Sequence, residues 1–271
     1  MNKAVFRIKH AVVRSFNAMG LDVRRYRAPK PGRASLEGGL AQLARLGLQP
    51  KTVIDVGVAA ATPELYAPFP AALLLLIEPL VEYEASLQSI CSSRQKTQYV
   101  LAAAGEVPGT AVLHVHPDKV GSSLLCEVEG PSIDGVPRTV PVVTLDQLCL
   151  EKNLPGPYLL KLDVQGAELQ VLRGASRTLQ QSDAVVLEVT LFGTMIGGPQ
   201  FSDVVQFMGQ MGFVVYDIFG FNYRPLDGAL AQVDMIFVPE RGMFRRSHAF
   251  ATPEQRNMIL REVQEPEGPY R

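Results

Sequence analysis

The chain has 271 residues, 47% of them hydrophobic and 20% charged, with a mean hydropathy of +0.10, so wholesale disorder is excluded and one sizeable core is expected. The net charge is −1, but nine basic side chains and one acid, Asp22, fall within the first 33 residues; the remaining 17 basic and 26 acidic residues form an acidic body that does not read as a nucleic-acid binder. Cys91, Cys126 and Cys149 are odd in number and lack Cys-x-x-Cys spacing, which argues against a disulfide framework and a zinc site and fits a reducing, cytoplasmic compartment.

Residues 1–19 read as an amphipathic helix, with Val5, Val12, Phe16 and Met19 on one face and Lys3, Arg7, His10 and Arg14 on the other. Three uses stay open for it: packing on its own domain or on a second copy, contact with an anionic membrane surface, or removal as a targeting peptide. It has no signal-peptide apolar region, and the longest nearly unbroken apolar stretch of the chain, 71–77, is far short of the ~20 residues of a membrane span. Residues 28–33 form a Pro/Gly linker, and 36–46 a short helix ended by Gly47.

From residue 52 apolar runs alternate with helical patterns. Strands are expected at 52–56, 73–77, 99–103, 158–162 and 184–189, with helices at 80–92, 145–152 and 168–179. That alternation predicts a parallel sheet with helices on both faces, and chemistry at the C-terminal ends of the strands. Residues 111–116 and 137–143 read as an inserted antiparallel pair over that edge. After a helix at 201–211, residues 213–218 and 232–238 form an antiparallel hairpin. The organisation expected is a basic arm at 1–34, one α/β domain at 35–240, and a C-terminal helix with a frayed tail at 241–271.

The first strand ends in Asp55-Val-Gly57, and Ile77-Glu-Pro79 places Glu78 at the end of the second, where a carboxylate can bind both ribose hydroxyls of an adenosine. A ligand can approach Gly57 closely because it lacks a side chain. A dinucleotide site needs Gly-x-Gly-x-x-Gly, but Gly57 is followed by Val-Ala-Ala-Ala; a pyrophosphate would have no cradle, and an NAD-dependent oxidoreductase is disfavoured.

The most specific segment is Lys161-Leu-Asp-Val-Gln-Gly-Ala-Glu168, followed by Leu172-Arg-Gly-Ala175. With Asp55-Val-Gly57, Glu78-Pro79, Ser122-Ser-Leu124, Thr144-Leu-Asp146 and Leu187-Glu-Val189, it resembles the FkbM-type methyltransferases over residues 52–238. The resemblance implies a Rossmann-like class I methyltransferase fold, with a mainly parallel sheet and a C-terminal antiparallel hairpin, and S-adenosylmethionine as cofactor. It also implies O-methylation of a hydroxyl on a sugar, glycan or secondary metabolite. It puts Asp55 and Gly57 at the methionine end of the cofactor, Glu78 on its ribose, Ala103 and Ala104 near the adenine, and Asp163 beside the transferred methyl. Asp163 or Glu188 is the expected proton acceptor. The chain departs from the family in having Ala59 where Asn is usual, Ala61 for a second Gly, and Gln165 for a frequent Glu. An alternative is a catalytically silent relative serving as a binding or assembly module.

Other residues carry less. His114 and His116 share a face but lack a third ligand nearby in sequence, so no metal centre is expected. Ser122 and Ser123 have no His/Asp partners and suit turn formation or substrate contact. Arg241, Arg245 and Arg246 form a basic face able to meet an anionic group.

Overall fold

The computed structural model describes residues 33–264. The amphipathic helix expected at 1–19, most of the linker at 28–33 and the tail at 265–271 lie outside the described residues.

The described chain runs α1 (Leu36–Arg45), β1 (Thr52–Val56), α2 (Pro63–Tyr66), β2 (Leu73–Ile77), α3 (Glu84–Ser93), β3 (Thr97–Val100), β4 (Ala103–Ala104), β5 (Gly109–Val115) and β6 (Val136–Val143). It continues with α4 (Leu145–Glu151), β7 (Tyr158–Leu162), α5 (Glu168–Arg173), α6 (Ser176–Gln180), β8 (Ser182–Thr190), α7 (Phe201–Gln210), β9 (Phe213–Tyr223) and β10 (Leu230–Pro239). A further helix, α8 (Pro253–Gln264), lies in a separate compact unit from the body at 33–246.

Seven strands form the main sheet in the order β3-β2-β1-β7-β8-β10-β9. The first five are parallel, and β10 runs antiparallel to both β8 and β9. Every residue of β1 and β7 is buried, as a parallel strand covered on both faces requires. One cluster packs α4 to α7 on one face through Leu148, Val171, Leu179 and Met208; the other packs α1 to α3 through Leu40, Leu65 and Leu87. Ser35 caps α1 by accepting from the Gly38 N–H. Gly39 lets that helix sit close on the sheet, because a Cβ there would lie 2.8 Å from side-chain atoms of both Ile236 and Phe219.

Strands β1, β2 and β7 begin and end where the sequence places them. Two expectations need correction. The strand expected at 99–103 is β3, which stops at Val100; Ala103–Ala104 leave the main sheet and pair in parallel with Val142–Val143 in a second sheet, order β4-β6-β5. An apolar run shows burial but not which sheet buries it. The helix expected at 168–179 is broken into α5 and α6 at Gly174, whose Cβ would stand 2.1 Å from the Gly105 carbonyl oxygen. Asp146 restarts it by accepting from the Arg177 and Thr178 N–H groups. The inserted antiparallel pair is β5 and β6, joined by a long loop at 116–135, and the C-terminal hairpin is longer than its apolar core suggests. No helix of the described residues is long and apolar enough to cross a membrane.

Candidate active site

Strands β1, β2 and β7 end level with one another, Val56 beside both Ile77 and Leu162. The turns that follow open a cleft of about 540 Å³ counting its open mouth. Its floor and polar side come from Gly57, Ala59, Glu78 and Asp163, and its apolar side from Ala103, Leu80, Tyr83 and Leu113. Lys119, Val120, Ser122 and Leu124 from the loop at 116–135 also line it.

Five of the expected cofactor contacts, Gly57, Glu78, Ala103, Ala104 and Asp163, therefore meet in one cleft. Asp55 does not line it. It is fully buried, accepts a hydrogen bond from the Tyr66 hydroxyl, and its other oxygen, Oδ1, lies 3.6 Å from Lys161 Nζ without a hydrogen-bond partner. Burial pushes the Asp55 carboxyl up, against the pull of Lys161 and Tyr66. Burial lowers the Lys161 ammonium, but Asp55 and Asp163 outweigh it and hold the net shift upward. Lys161 is thus a buried cation between two carboxylates, 3.2 Å from Asp163 Oδ2.

Gly57 meets a different need from the one its sequence context suggests. Its φ is +76°, and a Cβ would stand 1.8 Å from the Asp163 carbonyl oxygen, so the absent side chain admits the β7 turn as well as opening the cleft. Ala59 adopts φ +49°, the left-handed turn that its Asn-to-Ala departure strains. Its N–H nevertheless donates to Glu78 Oε2 at 2.9 Å, while Leu80 N–H donates to Oε1 at 2.9 Å. Burial raises Glu78, opposed by those two N–H groups. Each carboxylate oxygen has a second lone pair, so Glu78 is oriented by the backbone yet retains capacity for two hydroxyl donors. That capacity, beside an apolar half able to bury an adenine, fits the adenosine of S-adenosylmethionine.

At the ends of β7 and β8 a second group of side chains converges. Gln165 Nε2 donates to Asp163 Oδ1 at 3.0 Å and to Glu188 Oε1 at 2.9 Å, bridging two carboxylates. Glu188 pairs across the sheet with Asp234 on β10. Burial, then Asp163 and Asp234, push the Glu188 carboxyl well above the usual range, against Lys161 and the Gln165 amide. Burial and then Asp163 raise Asp234 to about 6. Glu168, at the start of α5, accepts from the Gly166 N–H and is pushed by burial up to about 7. Residue-by-residue reading missed Asp234 and the bridging role of Gln165; Asp234 sits on a distant strand with no local signal, whereas the Gln was visible as a departure.

The two serines build turns. Ser122 Oγ donates to Lys119 O and accepts from His116 N–H, and Ser123 Oγ donates to Gln165 O at 2.7 Å. The latter bond ties the loop at 116–135 to the Gln165 turn. Arg245 stands 3.9 Å from Glu240, and His116 Nδ1 faces Asp118 at 2.8 Å.

The family model described as the methyltransferase FkbM domain matches residues 57–215. No curated protein matches the chain. Among solved structures, the precorrin-6y C5,15-methyltransferase of Geobacter metallireducens is 14% identical, covering 79% of this chain and 93% of that one, with a TM-score of 0.40. The magnesium protoporphyrin IX methyltransferase of Synechocystis, solved with bound S-adenosylhomocysteine, is 13% identical over 85% of this chain and 99% of that one, TM-score 0.42. An rRNA methylase of Streptococcus thermophilus is 8% identical over 77% and 99%, TM-score 0.41. With the family's match spanning more than half of the sequence, and with Gly57, Glu78 and Asp163 of its motifs lining one cleft of a mainly parallel sheet, the chain belongs to the FkbM methyltransferase family and has S-adenosylmethionine as its cofactor.

Proposed function

We propose that the protein is an O-methyltransferase whose acceptor is a hydroxyl of a sugar, glycan or secondary metabolite, with Glu188 receiving the hydroxyl proton. The carrying observation is the Asp163–Gln165–Glu188 bridge at the strand ends beside the cleft. When bound, S-adenosylmethionine supplies an electrophilic methyl on a sulfonium. Glu78 would hold its ribose hydroxyls and the apolar side its adenine, with Gly57 and Asp163 toward its methionine end; Asp55 acts from below, by fixing Lys161.

The acceptor oxygen has to be positioned and relieved of its proton. Asp163 is engaged on both oxygens, by Lys161 and Gln165, which suits it to orient rather than to accept. Glu188 has the raised proton affinity that a base needs near neutral pH. Gln165 keeps its carboxylate aimed. Because the base must be unprotonated, turnover rises with pH as Glu188 loses its proton.

The test begins with calorimetric titration by S-adenosylhomocysteine, followed by methyl transfer to a panel of sugar and metabolite hydroxyls. Glu188→Gln is expected to lower kcat by roughly 100-fold or more while S-adenosylhomocysteine binds as before. Unchanged kcat removes Glu188 from the role. No heat with the folded chain would identify a silent binding module instead.

A further inference from the structure

We infer that His114, Cys126 and Asp134 form a binding site for a divalent transition metal of the Zn2+ class, outside the methyl-transfer site. The sequence offers His114 and His116 as a pair without a third ligand. In the folded chain His116 turns to Asp118, while Cys126 and Asp134 come in from the loop between β5 and β6.

One ligand atom from each of the three residues lies within 4.8 Å of the others, and all three residues are half-buried. Cys126 Sγ and His114 Nε2 are 3.5 Å apart. With Zn–S near 2.3 Å and Zn–N near 2.0–2.1 Å, the S···N edge of a zinc tetrahedron is about 3.6 Å. Thiolate, imidazole and carboxylate are the three donor types zinc takes, and a fourth position would hold water.

The ligands are held by their backbones. His114 N–H donates to Ser123 O and Ser123 N–H to His114 O, at 2.8 and 3.2 Å, which fixes the chain three residues before Cys126. The Asp134 carboxylate accepts from the Glu127 N–H. Gly135, next to Asp134, passes so close to β5 that a Cβ would stand 2.3 Å from the Val115 oxygen. The end of β5 and two points of the loop that follows it are thus brought together before any ion arrives. On binding, the Cys126 thiol gives its proton to solvent and a sulfur–metal bond forms. The metal would cross-link β5 to the middle and the C-terminal end of the loop that lines the cofactor cleft through Lys119, Val120, Ser122 and Leu124.

The full chain, stripped with chelator and dialysed against Zn2+, is expected to retain about one equivalent that Cys126→Ser binds at least tenfold more weakly. Co2+ should give a thiolate charge-transfer band in the wild type and in Cys91→Ser but not in Cys126→Ser. Equal uptake by Cys126→Ser, or none by the wild type, overturns the site and leaves His114 and Cys126 as an S–H···N pair. Should Cys126→Ser fail to fold, the unaltered chain decides: Zn2+ should slow alkylation of Cys126 by iodoacetamide, read by peptide mass spectrometry, and an unchanged rate overturns the proposal.

Discussion

At the residue scale the site depends on backbone conformations that its side chains do not favour. Ala59 at φ +49° and Gln165 at φ +51° both occupy the left-handed region. For Gln165 the strain accompanies a gain: the turn directs an amide between Asp163 and Glu188, where the family's usual Glu would add a third negative group. For Ala59 no side chain benefits, and only its N–H is used, on Glu78. Ala59→Gly should therefore retain that hydrogen bond and raise stability by about 1 kcal/mol, read as an increase in urea midpoint at unchanged slope. A lower midpoint would mean that the alanine methyl contributes packing the turn needs.

At the element scale, the break between α5 and α6 joins the two sheets. Gly174 abuts the Gly105 carbonyl where the chain leaves β4, and its own carbonyl accepts from Asp146 N–H. The Asp146 carboxylate then accepts from Arg177 N–H, Thr178 N–H and the Thr178 hydroxyl, so the Thr144-Leu-Asp146 motif fastens α4 to α6. A methyl at position 174 has only 2.1 Å to the Gly105 oxygen and must push the strand or the helix aside. Gly174→Ala is expected to destabilise by about 2 kcal/mol or more and to weaken S-adenosylhomocysteine binding, since β4 carries Ala103 of the cleft. Thermal unfolding with and without that ligand checks both. The contrasting control is Gly209→Ala on α7, where nothing stands within 4 Å of an added Cβ and helix propensity predicts a small gain.

At the scale of the whole molecule, the raised carboxyls make stability depend on pH. Glu168 at about 7 and Asp234 at about 6 bind their protons more tightly in the folded chain than when unfolded, and Glu78 and Glu188 shift the same way. Groups raised on folding contribute stability that is fully present below the unfolded carboxyl range and is lost as pH rises through their folded values. The unfolding free energy should therefore fall between about pH 5 and pH 8. Glu168→Gln, which keeps an acceptor for the Gly166 N–H, should flatten that fall by at most about 3 kcal/mol. Chemical denaturation across pH 5–8 reads the slope; identical slopes for wild type and variant would show that Glu168 does not hold its proton in the fold.

The alternation of apolar runs with helical periodicity determined the core by itself, because burial on both faces of β1, β2 and β7 leaves mostly apolar runs whose ends are sharp. The local motifs Asp55-Val-Gly57, Glu78-Pro79 and 161–168 located the cleft for the same reason: residues at strand ends are placed by the strands that carry them. Only the tertiary structure decided which sheet takes Ala103–Ala104, that Asp55 lies sealed beneath the cleft, and that Asp234 joins Glu188. It alone brought Cys126 and Asp134 to His114. Each of these depends on contact between residues that are not neighbours in the chain, and the pattern of one segment carries no record of which partner will lie against it.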